Sequence, residues 1–451
     1  MNLKTFSQLG RRILINGVEK KLLYWGFDAK GNVLEEPMAV EGGYLLRGEG
    51  YNDPTVLHKW EALRNAIQKK GMDSVTEEAA YTWFNRFMAI RILSKNQYDQ
   101  AQLEYEGDSM TPTILAKARR GQTNFLKPTE KQRLQKVLTD YSKEKEAFAI
   151  LMIGYCDQHL LLRSIFGRID DYTELLLPDD TLEKDGFIHL LNTTDAIYEE
   201  DYRKVELIGW LYQFYISEKK DKVFASFKKN KKAEARDIPA ATQIFTPNWI
   251  VKYMVQNTAG KLWLDLHPDS AMKEQMAYLI HDEAQTQAPI ISEVAQLKLL
   301  DPAVGSGHIL VEGFDLLYGM YMEEYYTVEE AVASILQHNL FGLDIDNRAV
   351  QLAKFAVLLK AAKYYPEVLQ KGWMPQIYAM PEPYPFSRQE VLDFLGKEGL
   401  DYEEELSDTL KLMQDGQNLG SAMLIQMNEK TREFLIKRLN ALQNQCFQDL
   451  G

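Results

Sequence analysis

The chain has 451 residues, 45% hydrophobic and 26% charged, a composition that suits a globular protein of two or three domains and excludes a disordered or fibrous one. No apolar run approaches the ~20 residues that span a bilayer, and "MNLKTFSQLGRRILING" lacks the apolar core and cleavage site of a secretory signal. The net charge of −13 opposes non-specific nucleic-acid binding, yet residues 1–235 are balanced in charge and the excess acid lies in 236–451, so a local basic face is not excluded.

In chain order, "KLLYWGFDAKGNVLEE" (21–36) predicts a hairpin, with an aromatic-rich strand, a turn through Asp28–Asn32 and a second short strand. In "GYNDPTVLHKWEALRNAIQKK" Asp53 suits a helix N-cap, Pro54 the first helical position, and apolar residues follow at helical spacing. "TEEAAYTWFNRFMAIRILSKN" (76–96) predicts a second helix capped by Thr76, with Ala80, Phe84, Phe87, Met88 and Ile92 on one face. Helical patterns also run through 130–167 and 200–230, so the first part, 1–235, is expected to be a mainly helical domain with an early β-hairpin. Cys156 and Cys446, both in helical patterns, fit a reducing cytoplasm and exclude a thiolate zinc site from this chain alone. The histidines form no His-x-x-x-His pair, so no metal is assigned.

"EKKDKVFASFKKNKKAEARD" (218–237) is dense in lysine. Two readings fit it: a solvated helix face leading into a linker, or a phosphate-contacting strip (Lys228, Lys229, Lys231, Lys232) anchored by Phe224 and Phe227. After residue 238 the pattern changes. "TPNWIVKYMVQNTAG" (246–260) predicts a helix. "LKLLDPAVGSGHILVEGFDLLYG" predicts a strand, a tight glycine turn and an apolar helix. "LFGLDI" and "MPQIYAMP" predict further strands, with an amphipathic helix between them. Strand–helix alternation with apolar strands implies a parallel, doubly wound sheet.

In such a sheet, ligands bind beyond the carboxyl ends of the strands. Here Asp301 ends the first strand. Gly305-Ser306-Gly307 brings little side-chain bulk, and the helix that follows offers unpaired N–H groups. A plain β–α turn would use glycines only to relieve crowding. Two features argue for more. The turn reads D-P-A-x-G-S-G, not G-x-G-x-x-G, and its internal acid suits a cationic or hydroxyl-bearing ligand better than a pyrophosphate. Asp344 at the end of the next strand is placed to accept both hydroxyls of a ribose, whereas Asp346, just before the following helix, fits an N-cap.

On these residues the chain resembles the adenine-N6 DNA methyltransferases. "DPAVGSGHIL" is similar to their motif I, "GLDID" to motif II and "TQIFTPNWIVKYMV" to motif X, in the order that class shows. The resemblance implies an α/β, Rossmann-like methyltransferase domain over 236–451 that binds S-adenosylmethionine. Asp301, Pro302, Ala303, Gly305, Ser306 and Gly307 would hold its methionine part, with Phe245, Thr246 and Pro247 nearby; Asp344 would take the ribose and Ile345 would lie against the adenine. The helical extension with "AAYTWFNRFMAIRIL" resembles the PglX-type methyltransferases of bacteriophage-exclusion (BREX) systems. That implies methylation of double-stranded DNA alongside other phage-defence proteins, in the cytoplasm and without a membrane.

Motif IV, Asn/Asp-Pro-Pro-Tyr/Phe, which in that class orients the target amine and stacks on the flipped base, does not occur. "PEPY" (381–384) has proline where the Asn belongs and reads as a loop. "LMQDGQNLGSAMLIQ" (412–426) is expected to be a loop and strand beside the pocket, with Asp415 or Ser421 as contacts, and 428–447 a helix. The expectation is therefore an incomplete sheet that carries motifs X, I and II, with no catalytic residue. Two other classes stay open: a non-catalytic cofactor-binding scaffold, and a nicotinamide-dependent dehydrogenase, which the wrong glycine fingerprint disfavours.

Overall fold

The computed structural model describes residues 1–51, 53, 55–107, 109–169, 171–227, 246–280, 291, 293–380, 384–419 and 423–448. The first helix, α1 (Leu3–Tyr24), is capped by Asn2, whose side chain accepts from the Thr5 N–H at 2.9 Å. Its buried stripe of Phe6, Gly10, Leu14, Val18 and Leu22 recurs every four residues. That periodicity overrides the aromatic richness of 21–25. The expected first strand is the last turn of a helix, and the hairpin reduces to a single antiparallel bridge between Phe27 and Val33. The antiparallel sheet lies later in the chain: β1 (Met38–Val40), β2 (Gly43–Leu46) and β3 (Glu49–Tyr51).

Helix α2 spans Thr55–Lys70, with Asp53 Oδ1 accepting from the Thr55 N–H at 3.1 Å and from its hydroxyl at 2.7 Å, while Pro54 lies outside the described residues. Helix α3 (Met72–Lys95) begins before Thr76, which is buried inside the helix and does not cap it. From Ala79 to Leu93 nearly every side chain of α3 is enclosed, so it forms the centre of the helical part. Around it lie α4 (Glu144–Gln158), α5 (Leu160–Phe166) and α6 (Glu206–Phe227), with α1 packed against both α3 and α6.

Beyond α7 (Asn248–Val255) the three further strands among the described residues form a parallel sheet in the order β4 (Leu299–Asp301), β5 (Leu340–Asp344), β6 (Gln376–Ala379). All three expected strands are present in this order. Helix α8 (His308–Glu323) packs on β4 and β5, and α9 (Asn347–Tyr364) on β5, β6 and α8. The register pairs Leu299 with Leu340, and Gly342 with Ile377. This face is buried against α8, where Leu310 meets Gly342 and Leu299 meets Gly313. The alternate residues Leu300 and Tyr378 point to the other face, which leaves them 55% and 53% exposed. One apolar core runs without a break from Phe6 in α1 to Ile377 in β6, so the helical part and the parallel sheet are packed as one body.

A second, small core of Val391, Leu395, Leu406 and Leu435 joins α10 (Arg388–Leu395), α11 (Glu403–Gln414) and α12 (Glu429–Gln448). The strand expected within 412–426 is not found among the described residues. Helix α11 continues to Gln414 and a short helix follows over Gly416–Leu419, because helical spacing of Leu406, Leu410 and Met413 extends past the point where a loop was expected. Asp415 sits between those two helices, and Ser421 lies outside the described residues.

Candidate cofactor site

Strand β4 ends at Asp301, and the chain then turns through Gly305 (φ +52°) and Gly307 (φ +90°) into α8, of which Gly307 is the N-cap. Both glycines sit in the left-handed region that side chains disfavour. They serve different ends. A Cβ on Gly307 would lie 3.1 Å from the Ala353 Cα, so its absence lets α9 close on the turn. A Cβ on Gly305 would meet nothing within 4 Å, so this peptide borders open space.

Hydrogen bonds stitch the turn to the neighbouring strand ends. The Val304 N–H donates to the Leu343 carbonyl at 2.8 Å, and the Met380 N–H donates to the Asp344 carbonyl at 2.7 Å. The Asp344 carboxylate accepts from the Gly305 N–H through Oδ2 and from the Asp346 N–H through Oδ1, each at 2.8 Å. Asp301 Oδ1 accepts from the Ala303 N–H at 3.1 Å. The structure thus brings together Asp301, Pro302, Ala303, Gly305, Ser306, Gly307, Asp344 and Ile345. Pro302 and Ala303 are exposed, Ser306 is buried and Ile345 half-buried.

The electrostatics of the two acids follow from their enclosure. Burial raises the Asp301 carboxyl above its ordinary range, the Ala303 N–H opposes this, and the charge of Asp344 adds to it. Burial likewise raises Asp344, against the N–H groups of Asp346 and Gly305, while the Asp346 charge adds to the rise. Two neighbouring carboxyls are therefore held short of hydrogen-bond donors, and a cation or a hydroxyl group would relieve both.

Asp346 is the cap of α9 that its position implies, accepting from the Arg348 N–H at 3.0 Å. Burial acts to raise its carboxyl, but the Arg348 guanidinium outweighs burial and holds it below its ordinary value. That guanidinium pairs in a fork, Nε to Oδ1 at 2.9 Å and Nη2 to Oδ2 at 2.8 Å. The Tyr212 hydroxyl on α6 donates to Oδ2 at 3.0 Å. No local sequence pattern singles out Tyr212, Arg348 or Gly209 by itself. A Cβ on Gly209 of α6 would lie 2.5 Å from His308 Nε2 and 2.9 Å from Ser306 Oγ. The available signals were an arginine two residues after an acid at a helix start, and one glycine inside the aromatic helix "ELIGWLYQFY".

Thr246 and Pro247 stand at the start of α7, with the Pro247 carbonyl accepting from the Ile250 N–H at 2.9 Å. Helix α7 packs against α8, and the Asn248 side chain hydrogen-bonds Glu312. Motif X is thereby beside the helix that follows the glycine turn, not within the turn. Phe245, the lysines at 228, 229, 231 and 232, and the prolines at 381 and 383 lie outside the described residues. Among the described residues no cluster of metal-ligating side chains occurs, and no helix is long and apolar enough to cross a membrane.

No family model matches the chain. It is 36% identical over 395 residues to the adenine-specific methyltransferase BrxX of Escherichia coli O9:H4, an alignment covering 84% of this chain and 32% of that protein. It is 34% identical over 462 residues to the adenine-specific methyltransferase PglX of Lacticaseibacillus casei, covering 93% of this chain and 37% of that protein. A shorter match, 36% over 75 residues, is to a putative type II restriction enzyme and methyltransferase of Methanocaldococcus jannaschii; it covers 15% of this chain and 6% of that protein. The chain spans about a third of the length of the curated relatives that it matches along most of its own sequence. Over 84–93% of its own length the chain is thus homologous to adenine-specific methyltransferases of the BrxX and PglX type.

Proposed function

We propose that the chain carries the S-adenosylmethionine-binding part of a site-specific DNA adenine-N6 methyltransferase. In this reading residues 1–235 form a mainly helical domain, and 236–451 the first part of a Rossmann-like, S-adenosylmethionine-dependent methyltransferase domain. The observation that carries it is the pair of carboxyls, buried Asp301 and half-buried Asp344, stitched to a glycine turn that borders open space. S-adenosylmethionine offers what these groups lack: a cationic amino-acid end and two ribose hydroxyls. A carboxylate has about four acceptor positions, so Asp344 keeps capacity for both hydroxyls after taking two backbone N–H groups.

Asp301, with Pro302 and Ala303 beside it, and the backbone of Gly305, Ser306 and Gly307 would hold the methionine part, with Phe245, Thr246 and Pro247 alongside. Ile345 would lie against the adenine. When bound, the cofactor supplies an electrophilic methyl group; the chain's residues bind it and fix its direction. By the family relationship the substrate is adenine in double-stranded DNA, and the role is marking self DNA next to other phage-defence (BREX) proteins in the cytoplasm.

A second reading is a cofactor-binding scaffold that docks DNA or other defence proteins; the 451 residues hold no Asn/Asp-Pro-Pro-Tyr/Phe tetrapeptide, which is compatible with both readings. Under both readings calorimetry detects S-adenosylmethionine binding and no NAD binding; an absence of heat with S-adenosylmethionine sinks the site assignment. This chain alone, given labelled S-adenosylmethionine and mixed-sequence DNA, should yield no N6-methyladenine. Orienting two reactants is worth roughly 7–11 kcal/mol, and the acceptor clamp that would supply it is missing. Clear incorporation would mean that another loop does the work of motif IV.

A further inference from the structure

The helical part reaches the glycine turn directly. The Tyr212 hydroxyl of α6 donates to Asp346 Oδ2 at 3.0 Å, and the Asp346 N–H donates to Asp344 Oδ1 at 2.8 Å. Asp344 Oδ2 in turn accepts from the Gly305 N–H at 2.8 Å. Four residues from two parts of the chain thus form one continuous run of hydrogen bonds that ends on the peptide bordering the open space. Tyr212 is 3% exposed and Asp346 7% exposed, so water does not compete for the bond between their side chains. The run is braced on its flank. The Arg348 fork holds the Asp346 carboxylate, and its guanidinium lies 5.3 Å from the centroid of the buried Tyr81 ring, which meets Tyr212 edge-on at 5.8 Å. One turn earlier on α6, Gly209 lets the helix backbone lie against His308 and Ser306, and any side chain there would drive into both.

We infer that Tyr212 and Gly209 are positioning residues of the cofactor turn: the helical part sets the affinity for S-adenosylmethionine by holding Asp346, Asp344 and Gly305 in register and by keeping Ser306 and His308 in place. The inference rests on the assignment of this turn to S-adenosylmethionine. Its mechanical half, that α6 holds the turn, can be measured with no ligand present. Neither residue need touch the cofactor. Tyr212 acts through an acid and its backbone N–H, and Gly209 through the space that it leaves.

The test uses the whole chain and two kinds of variant. Tyr212→Phe keeps the ring and removes only the donor. Without ligand, amide hydrogen exchange across 303–307 and 344–346 should quicken about tenfold, with α10 in the second core unchanged as an internal control. The S-adenosylmethionine affinity should fall roughly three- to tenfold, in line with one lost hydrogen bond to a charged group acting partly through a neighbour. Gly209→Ala should weaken binding by a similar factor by pressing on His308, and adding His308→Ala should restore most of it by freeing the two closest contacts. A purely structural role for α6 would lower the melting temperature of Gly209→Ala and leave affinity where it was, with nothing for His308→Ala to rescue. Unchanged exchange in the turn of Tyr212→Phe overturns the inference whatever the affinities. Quickened exchange with unaltered affinity overturns the positioning role. If Tyr212→Phe does not fold, the Gly209 and His308 cycle decides alone: rescue upholds the inference and no rescue overturns it. A wild-type chain that binds no S-adenosylmethionine overturns the cofactor assignment itself, while the exchange measurement still decides whether α6 holds the turn.

Discussion

Two turns in this molecule pair an aspartate with a left-handed glycine, and they differ in what surrounds them. In the turn after α1, Asp28 Oδ1 accepts from the N–H groups of Lys30 and Asn32, and Oδ2 from the Asn32 side chain, each at 2.8 Å, with Gly31 at φ +83°. In the turn after β4, Asp344 accepts from two backbone N–H groups at the same distance, with Gly305 at φ +52°. The local bonding is nearly the same, but the electrostatic outcome is opposite. At the surface the Asn32 side chain and backbone donors lower the Asp28 carboxyl below its ordinary value. In the partly buried turn burial outweighs the backbone N–H groups, and Asp344 is raised. A carboxylate satisfied by its own loop and by water is a finished structural device. One that is still short of donors after closing its loop is prepared for a ligand.

Substituting the glycines should separate the two turns most sharply. Gly307→Ala forces a side chain into φ +90° and within 3.1 Å of the Ala353 backbone, which together cost about 1–3 kcal/mol of stability. Because the same displacement moves the start of α8, S-adenosylmethionine affinity should drop by more than about tenfold. Gly31→Ala meets a comparable obstacle, φ +83° with Ile67 Cγ2 at 2.6 Å, so it should lower the melting temperature and leave affinity alone. Thermal melts with and without cofactor, alongside calorimetry, test the pair. Equal affinity loss in both variants would show global destabilisation and erase the contrast.

Removing the acids tests the same contrast without changing the backbone. Asp344→Ala deletes charge-assisted hydrogen bonds to the ligand worth on the order of 1.5–3 kcal/mol, roughly tenfold to a hundredfold in affinity. Asp28→Ala should change affinity not at all. If Asp344→Ala bound as tightly as wild type, Asp344 would join Asp28 as a loop closure only.

Much of this site was legible in the sequence, and the reasons are specific. An acid, a proline and two glycines between an apolar strand and an apolar helix can satisfy little except a tight β–α turn, so Asp301, Gly305 and Gly307 fell where expected. Asp344 and Asp346 were separable because only Asp346 immediately precedes helical spacing. The hairpin at 21–36 was misjudged because aromatic residues favour strands in general, whereas here the four-residue burial stripe of α1 extends through Leu22. Thr76 looks like a cap because Glu77 and Glu78 follow it and suit a helix start, whereas the helix begins a turn earlier at Met72 and already buries Val75. Tyr212 and Gly209 could not be read at all. Their roles come from packing against residues about a hundred or more positions away, a relation that no local period encodes.

The smallest expected effect is the pH response, and its sign distinguishes the turns. Asp28 has a folded pKa below its unfolded value, so it contributes stability that is present above 3.8 and lost as pH falls through its lowered folded value. Asp301 and Asp344 behave in reverse. Their folded values lie above 3.8, so the unliganded fold is favoured by protonation, and their contribution is lost as pH rises from 3.8 through the raised values. Binding should repeat that dependence with opposite sign, because the ionised carboxylates are the better acceptors for a cation and for hydroxyls. Affinity for S-adenosylmethionine should therefore hold steady at neutral pH and weaken as pH falls into the window just above 3.8, by at most about tenfold for each pH unit and each carboxylate. Asp344→Asn should flatten that slope by the share of one carboxylate, and Asp28→Asn should leave it unaltered. Calorimetric titrations between neutral pH and the acid limit of folding measure both. A slope that begins only below 3.8 would mean that the two enclosed acids are as well satisfied as Asp28, and the difference between the turns would vanish.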